Sequence, residues 1–182
     1  MCEIMKTIMF MAITVNGFIA REDGFSDFVT ADAWKDDLKK LKDAGCCIMG
    51  YKTYAYILER MDFPLPCYNV IMTKTKVNNK WKNAMFTAGT PKEILRVLKE
   101  KGFKTVFLYG GAKANSSFLK ENLVDEFYLY VVPAAFGKGI ALLREMDLEA
   151  KLRLLKVDRF SRGVIGLHYK VVKVARRIKV HS

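Results

Sequence analysis

The chain has 182 residues, 51% of them hydrophobic, and a formal net charge of +12 at pH 7. This length suits one domain, and no apolar run reaches the ~18 residues that a membrane span requires. The basic residues are scattered without a nucleic-acid-binding motif, so the charge favours a small polyanionic ligand over a dedicated nucleic-acid function. No basic region followed by a small-residue cleavage site opens the chain, and we expect a soluble cytosolic protein.

The cysteines and histidines do not suggest a metal site. The four cysteines include no C-x-x-C pair, and we expect them to be reduced core thiols. The two histidines are too few and too badly placed for a zinc site or a hydrolytic Ser/Cys-His pair. His168 lies in an alternating strand pattern and is expected to be structural. The cysteines are Cys2, Cys46, Cys47 and Cys67.

In chain order, an apolar run over residues 8–15 predicts a central strand, and Gly17 makes possible the turn that ends it. From Asp32, which suits an N-cap, apolar residues recur at spacings of four and three. This pattern predicts a helix that stops at Gly45. A short buried strand over residues 46–49 follows.

The middle of the chain continues the alternation of strand and helix. We predict a helix from Gly50 to about residue 60, a strand over 68–73 and a short strand over 84–87. Thr90-Pro91-Lys92-Glu93 combines an N-cap residue, a proline at the first helical position and a glutamate in the capping-box position. It predicts a helix that Gly102 closes.

An apolar run over residues 105–109 then stops at Gly110-Gly111, where a helical pattern to about residue 121 begins. A buried strand that leads through two glycines into a helix brings free backbone N–H groups and the positive end of a helix dipole to one point. Such a point suits a phosphate, and the absence of Cβ atoms lets a ligand approach closely. A tight connection without a ligand would give the same pattern.

The C-terminal part predicts strands over residues 127–132, 152–160 and 164–173, the last two forming a hairpin. The whole chain therefore reads as one domain, 1–182, with about eight strands, four helices and a basic tail over 174–182. Because strand and helix alternate first, we predict a mixed, mostly parallel sheet with helices on both faces and an antiparallel hairpin at the C-terminal end.

Ligands bind beyond the carboxyl ends of the strands in open parallel sheets. That rule gathers four segments at one rim, with two helix N-termini, hydroxyl groups and two lysines, which suit a molecule with several phosphates. The segments are Asn16-Gly17, Gly50-Tyr51-Lys52-Thr53, Thr73-Lys74 and Gly110-Gly111-Ala112.

Several motifs resemble one enzyme superfamily over about residues 6–173. Ile48-Met49-Gly50-Tyr51-Lys52-Thr53 resembles the I-M-G-R-x-T turn of dihydrofolate reductases. Tyr109-Gly110-Gly111-Ala112, with Pro133-x-x-x-Gly137-x-Gly139, is similar to the C-terminal reductase domain of riboflavin-biosynthesis proteins. Residues 12–20 resemble that family's S-x-D-G-x-I-A. The resemblance implies an α/β fold with three layers, the α/β/α dihydrofolate reductase-like fold.

The same resemblance implies an oxidoreductase that uses NADPH. Its substrate would be a heterocyclic phosphate, 5-amino-6-(5-phosphoribosylamino)uracil or a 2,5-diamino-6-ribosylamino-pyrimidinone phosphate, with hydride going to the ribose carbon. NADPH is favoured over NADH because Lys52 and Lys74 offer charge to a 2′-phosphate. Implied cofactor contacts are Gly110, Gly111, Ala112 and Lys113 at the pyrophosphate, Gly50, Tyr51, Lys52, Thr53, Thr73 and Lys74 at the adenosine phosphates, and Ala12 and Gly17 at the nicotinamide. Implied substrate contacts are Asn16, Trp34 and Asp37.

The chain departs from the family patterns at specific positions. Asn16 stands where the riboflavin reductases carry Asp, and Tyr51 stands where the family carries Arg. The acidic helix residue that binds the pterin in dihydrofolate reductases falls at Trp34 by direct counting, or at a neighbouring aspartate if the register differs. Hydride transfer needs no strongly perturbed acid, and the rim is expected to be poor in carboxylates.

Two other functions stay open at this point. The chain could be a dihydrofolate reductase that acts on a pterin. It could also be a nucleotide- or nucleic-acid-binding protein that keeps the fold without turnover. The H-x-E and P-C-x-x-C signature of zinc deaminases is absent from the sequence, so a stand-alone reductase is expected. The resemblance also implies a homodimer, through the exposed faces of the last strands.

Overall fold

A computed structural model of the protein describes residues 5–176. Within that range the chain forms three layers, with a sheet between two pairs of helices. The helices are α1 (Ala31–Ala44), α2 (Tyr51–Arg60), α3 (Pro91–Glu100) and α4 (Ala112–Lys120). The strands are β1 (Lys6–Thr14), β2 (Phe18–Ala20), β3 (Cys46–Gly50), β4 (Tyr68–Met72), β5 (Ala84–Thr87), β6 (Thr105–Leu108), β7 (Glu126–Val132), β8 (Ile140–Ala141), β9 (Leu148–Arg159) and β10 (Ile165–Arg176).

Eight of the strands form the central sheet, in the order β5-β4-β3-β6-β1-β7-β10-β9. The first six run parallel, and β10 runs antiparallel to both β7 and β9. Strand β1 lies at the centre of the parallel part, where Ile8 pairs with Phe107 on one side and Glu126 on the other. The predicted mixed, mostly parallel sheet with four helices and a C-terminal antiparallel hairpin is thus confirmed.

The structure corrects the sequence interpretation at three places. Strands β2 and β8 form a separate two-stranded sheet, which the sequence interpretation missed because neither is long enough to show a period. Strand β10 continues through Arg176, so residues 174–176 are strand and not tail; residues 177–182 lie outside the described residues. Thr30, not Asp32, is the N-cap of α1.

Asp32 has another role, because its Oδ2 accepts a hydrogen bond from the backbone N–H of Ser161 at 2.6 Å. The neighbouring Thr30 hydroxyl and the hydrogen bond from Ser161 lower the pKa of the Asp32 carboxyl. The bond to Ser161 ties the first turn of α1 to the 3-10 turn Ser161–Gly163, which joins β9 to β10. At α3 the predicted capping box is present: Thr90 Oγ1 accepts from the N–H of Glu93, and Glu93 Oε2 accepts from the N–H of Thr90.

The two faces of the sheet carry separate cores because side chains alternate along each strand. Phe10, Tyr128 and Tyr130 pack against α1 and α2. Met9 and Phe127, on neighbouring positions of the same strands, pack against α3 and α4. The helices therefore cover both faces, two on each.

The predictions that the cysteines are reduced core thiols and that His168 is structural are confirmed for the described residues. Cys46, Cys47 and Cys67 are free and buried, whereas Cys2 lies outside the described residues. His168 Nε2 lies 2.6 Å from Glu126 Oε2, and Lys6 Nζ lies 2.8 Å from Glu126 Oε1. Burial opposes ionisation of Glu126, but these two partners outweigh it and lower its pKa. The cluster is structural and lies at the amino ends of β1 and β7.

Candidate active site

The carboxyl ends of four parallel strands meet at one rim of the sheet. Strands β1, β3, β4 and β6 end there at Thr14, Gly50, Met72 and Leu108. The four sequence segments predicted at this rim follow these strand ends directly, so the fold brings them to the same edge.

At the centre of the rim, the turns that follow β3 and β6 are hydrogen-bonded to each other. The N–H of Gly50 donates to the carbonyl of Gly110 at 2.8 Å, and the N–H of Tyr109 donates to the carbonyl of Ile48 at 2.7 Å. Gly50 is the N-cap of α2 and Gly111 is the N-cap of α4. Two helix N-termini therefore begin side by side, and neither N-cap residue has a side chain that could occupy its N–H groups.

The backbone at this junction leaves little room for a side chain. Gly110 has φ +84°, in the left-handed region, and a Cβ there would lie 2.9 Å from Met11 Cε. A Cβ on Gly111 would lie 3.4 Å from Thr53 Oγ1. The peptide bond between Gly110 and Gly111 is cis. The Thr53 hydroxyl thus lies beside the start of α4, where glycines leave the backbone open to a ligand.

The cationic candidates surround this junction on the outside. Lys52, Lys74 and Lys113 are exposed, and Tyr51 is 42% exposed at the first position of α2. The hydroxyl of Thr73 accepts a hydrogen bond from the N–H of Thr75 at 3.0 Å and so shapes the turn that carries Lys74. Exposed lysines on helix and turn ends can adjust to a phosphate, whereas the glycine backbone between them is rigidly placed.

The other half of the rim lies under α1. Ala12 and Tyr130 are paired on β1 and β7, and Tyr109, just beyond β6, packs against the same core. The hydroxyl of Tyr109 donates to Asp37 Oδ2 at 2.7 Å, and the hydroxyl of Tyr130 donates to Asp36 Oδ2 at 2.7 Å. Two adjacent carboxyls of α1 are therefore each held by a tyrosine of the sheet.

Asp37 is the buried member of this pair. Only 7% of the residue is exposed, and its second oxygen, Oδ1, is buried with no hydrogen-bond partner among the described residues. Burial raises the pKa of Asp37 to about 7; the hydrogen bond from Tyr109 opposes this rise and the nearby Asp36 adds to it. The expectation that the rim is poor in carboxylates is therefore wrong, and the structure places a buried acid with a raised pKa there.

The remaining two substrate candidates lie in different surroundings. Trp34 is half-buried and packs against the core beneath α1. Asn16 is exposed, and its side chain bonds the backbone of Phe136: Nδ2 donates to the carbonyl at 2.7 Å, and Oδ1 accepts from the N–H at 3.2 Å. Asn16 thereby fastens the β7–β8 loop to the end of β1. Gly17 makes the adjoining turn with φ +88°.

An open cleft of about 560 Å³ lies between that loop and residues 21–23. The guanidinium of Arg21 lies 4.6 Å from the centre of the Phe136 ring, and Lys138 is a further cation on the cleft wall. The cleft adjoins the Asn16 end of the rim.

Comparison with known proteins places the chain in a family. Residues 66–166, more than half of the chain, match the family described as RibD C-terminal domain. The chain belongs to the RibD C-terminal domain family. The match contains Thr73, Lys74 and the segment from Tyr109 to Lys113, so the α4 half of the glycine junction lies within it. The α2 half and the carboxyls of α1 lie outside the matched range.

Individual relatives agree with this membership. The chain is 29% identical to the uncharacterized protein YwjB of Bacillus subtilis over 177 residues, covering 90% of this chain and 97% of that protein. A putative riboflavin biosynthesis protein from Shewanella sp. PV-4 has the same fold, with a TM-score of 0.81 at 21% identity over 93% of this chain and 100% of that one. The fold also matches a Thermotoga maritima diaminohydroxyphosphoribosylaminopyrimidine deaminase/5-amino-6-(5-phosphoribosylamino)uracil reductase, with a TM-score of 0.71 at 18% identity over 92% of this chain and 57% of that one.

Tyr109 is the rim residue that the sequence interpretation left without a role. Its position as the last residue before the two glycines marks it as a rim residue, but nothing in the sequence shows that its hydroxyl meets Asp37, 72 positions earlier.

Proposed function

We propose that this member of the RibD C-terminal domain family is an NADPH-dependent reductase. The observation that carries the proposal is the junction at which Gly50 and Gly111 begin two helices side by side. Two uncapped helix N-termini offer several N–H donors and two positive dipole ends to one anion, which is the arrangement that a dinucleotide pyrophosphate requires.

In this proposal the cofactor spans the rim. Gly110, Gly111, Ala112 and Lys113 bind the pyrophosphate, and Gly50 to Thr53 with Thr73 and Lys74 bind the adenosine phosphates. The nicotinamide lies against β1 near Ala12 and Gly17, and the Ala12 side chain is small. When bound, the nicotinamide supplies the hydride, and the protein aligns it and excludes water.

The proposed substrate is a pyrimidine with a ribosylamino phosphate, the class named for the Thermotoga maritima relative. Asp37 Oδ1 has no donor among residues 5–176, and the amino or ring N–H groups of such a heterocycle would supply one. Trp34 and Asn16 are the further proposed contacts. The cleft at the Asn16 end carries Arg21 and Lys138 beside Glu22 and Asp23, and Arg21 is paired with Asp27. Lys138 is therefore the proposed contact of the substrate phosphate there.

A dihydrofolate reductase is the second candidate, and one observation favours it. A dihydrofolate reductase requires an acidic residue of the first helix to bind the pterin. Asp37 lies on this helix, α1, and faces the sheet beneath it. A pterin presents N–H groups to a carboxyl as an aminopyrimidine does. The two candidates therefore differ in the rest of the substrate, since only the first carries a phosphate.

The first experiment is a titration of the purified protein with NADPH and NADH at fixed salt, followed by Trp fluorescence and melting temperature. We expect NADPH to bind at least ten-fold more tightly, because Lys52 and Lys74 attract the 2′-phosphate. NADPH oxidation is then measured with the ribosylamino-pyrimidine phosphate and with dihydrofolate. Absence of binding by both nucleotides would refute the reductase and favour the binding protein without turnover.

We also propose that the protein acts in the cytoplasm as a homodimer built on the outer hairpin. The ribbon β9–β10 is amphipathic: Leu152, Leu154 and Val157 pair with apolar residues of β10, whereas Lys151 and Arg153 pair with lysines. Of the nine large apolar side chains that are exposed in residues 5–176, six lie on this ribbon. They expose on the order of 500 Å², a large share of the ~800 Å² that each partner buries in a standard interface.

A second copy is the occupant that fits this ribbon. The paired lysines of the ribbon lie on its opposite face. Packing the apolar faces of two copies together therefore does not bring the lysines of one copy close to those of the other. Pairing along the outer edge of β9 is disfavoured because its pairing with β10 is irregular and the strand carries four basic side chains, Lys151, Arg153, Lys156 and Arg159. None of the helices described in residues 5–176 is long and apolar enough to span a membrane.

Paired double variants test this assembly by light scattering. Leu154→Gln with Val157→Gln is expected to convert a dimer to a folded monomer, whereas Lys151→Gln with Arg153→Gln on the other face leaves the dimer intact. A wild-type protein that is monomeric at 50 μM would refute the homodimer, and so would equal behaviour of the two double variants.

A further inference from the structure

Two buried polar side chains of α4, Asn115 and Ser116, bind a neighbouring segment of the chain instead of their own helix. Asparagine and serine are poor formers of a helix interior, and burying them is costly unless their polar atoms are bonded. The amide Nδ2 of Asn115 donates to the carbonyl of Leu142 at 3.0 Å, and Oγ of Ser116 accepts from the N–H of Arg144 at 2.8 Å. Both side chains thus fasten the segment that follows β8 to α4.

On its other side the same segment is bound to the turn that ends β1. The N–H of Leu142 donates to the carbonyl of Gly17 at 2.9 Å. Leu142 therefore uses its N–H on this turn and its C=O on α4. The strands β2 and β8 on either side of the contact lie close together, since a Cβ on Gly139 would come within 2.6 Å of the carbonyl oxygen of Ala20.

The turn itself is held by the fully buried Thr14. The hydroxyl of Thr14 accepts from the N–H of Phe18 at 3.0 Å, and the carbonyl of Thr14 accepts from the N–H of Gly17 at 3.0 Å. A displacement of Leu142 is therefore passed to the turn as a whole. The sheet formed by β2 and β8 has only two strands, and such a pair is marginally stable without further support. The hydrogen bonds from α4 supply that support.

This chain of contacts joins the two ends of the proposed cofactor site. The helix α4 begins at Gly111, the proposed pyrophosphate contact, and the N–H of Asn115 donates to the carbonyl of Gly111 at 3.1 Å. Gly17, at the far end, is a proposed nicotinamide contact. Hydride transfer depends steeply on the distance between the reacting atoms. The position of the turn relative to α4 therefore matters for the reaction.

We infer that Asn115 is a positioning residue that sets the turn of residues 14–17 at a fixed distance from the N-terminus of α4, and that Ser116 provides a second tie. This inference rests on the proposed function. Asn115 acts through the backbone of Leu142, and its own side chain binds neither cofactor nor substrate.

The variant Asn115→Leu tests the inference by separating the two halves of the cofactor. Leucine has a similar size and removes the Asn115 oxygen, which is buried without a partner among residues 5–176, so we expect the protein to fold. Affinity is measured for NADPH and for 2′-phosphoadenosine 5′-diphosphoribose, which lacks the nicotinamide. We expect NADPH affinity and kcat each to fall about ten-fold, because the turn is no longer held in place, while the affinity for the truncated nucleotide stays as in the wild type.

Two serine variants on the same helix complete the comparison. Ser117→Ala is the matched control, because the Ser117 hydroxyl donates to the carbonyl of Ala114 within α4 and has no contact with the tied segment. Its affinities for both nucleotides should equal those of the wild type. Ser116→Ala should weaken NADPH binding in the same sense as Asn115→Leu, and it provides the test if Asn115→Leu does not fold.

Hydrogen exchange of the ligand-free protein gives a readout that needs no cofactor. The amide of Leu142 should exchange about ten-fold faster in Asn115→Leu than in the wild type, because its contact with Gly17 opens more often when the carbonyl of Leu142 is released. Exchange of this amide in Ser117→Ala should be unchanged. Equal exchange of Leu142 in Asn115→Leu and wild type would overturn the inference.

The nucleotide affinities distinguish the possible failures. If the wild type does not bind NADPH, the proposed function fails and the inference falls with it. If the wild type binds NADPH but Asn115→Leu weakens both nucleotides equally, or neither, only the inference is overturned. A purely structural role of Asn115 would lower the melting temperature and would not change the ratio of the two affinities.

Discussion

Gly111→Ala is expected to weaken NADPH binding by about 100-fold while the protein stays folded, since each charge-assisted hydrogen bond that the ligand loses is worth ~1.5–3 kcal/mol. Gly111 has φ −73°, which alanine adopts freely. The nearest atom to the new Cβ is Thr53 Oγ1 at 3.4 Å, so no clash is introduced. The methyl group would instead occupy the space in front of the first N–H groups of α4, where the pyrophosphate is proposed to bind.

The matched control is Gly102→Ala, which lies between α3 and the amino end of β6, at the rim opposite the candidate site. Gly102 has φ +85° and open space around it, so alanine there is strained by ~1–2 kcal/mol and touches no ligand. We expect lower stability with unchanged NADPH affinity for Gly102→Ala, and unchanged stability with lower affinity for Gly111→Ala. Equal NADPH affinity of Gly111→Ala and wild type would remove α4 from the cofactor site.

Asp37→Asn is expected to lower kcat/KM by about ten-fold or more without changing NADPH affinity, because the carboxyl is the proposed acceptor for the N–H groups of the heterocycle. Asparagine keeps the shape and can still accept from Tyr109, but its neutral amide binds an N–H donor more weakly than a carboxylate does. Asp36→Asn is the control, because Asp36 is bound to Tyr130 and Lys40 and has no part in the proposed reaction. Similar kcat/KM losses in both variants would show a general effect on α1.

The same variant, Asp37→Asn, is expected to be more stable than the wild type although its activity is lower. The pKa of Asp37 is about 7 in the folded protein and lies near 3.8 when unperturbed, so the folded state binds the proton more tightly. Ionisation therefore destabilises the wild type as pH rises from about 4 to 7, by up to ~4 kcal/mol. Asp37→Asn removes this pH dependence. The unfolding free energy of the variant, measured by chemical denaturation, should therefore exceed that of the wild type by an amount that grows between pH 4 and 8.

Much of the site's location could be predicted from the sequence. The capping box at Thr90, the C-cap at Gly45 and the Gly110-Gly111 turn mark helix ends by local chemistry, and all three hold in the structure. Once strand and helix alternate, the parallel sheet and its carboxyl rim follow, because the crossover connections return every strand in the same direction. That rule was enough to bring Gly50 and Gly111 to one rim.

The electrostatics of the rim were not predictable from the sequence. Asp36 and Asp37 are neighbours in a polar stretch of α1, and the sequence does not show which of them is buried. That depends on how α1 rotates over β6 and β7, and so on the side chains of Tyr109 and Tyr130 beneath it. Contacts between residues so far apart in the chain leave no local pattern.

The amino-acid sequence by itself determined the order of strands and helices and the glycine turns that meet at the rim, because these depend on backbone freedom, caps and periodicity within a few residues. Only the tertiary structure decided that, within residues 5–176, Asp37 is buried with one unpartnered oxygen and the apolar side of β9–β10 is left uncovered, and that Asn16 holds the Phe136 loop. Each of these depends on which surfaces meet when the helices pack on the sheet, and packing joins residues whose separation in the chain carries no signal.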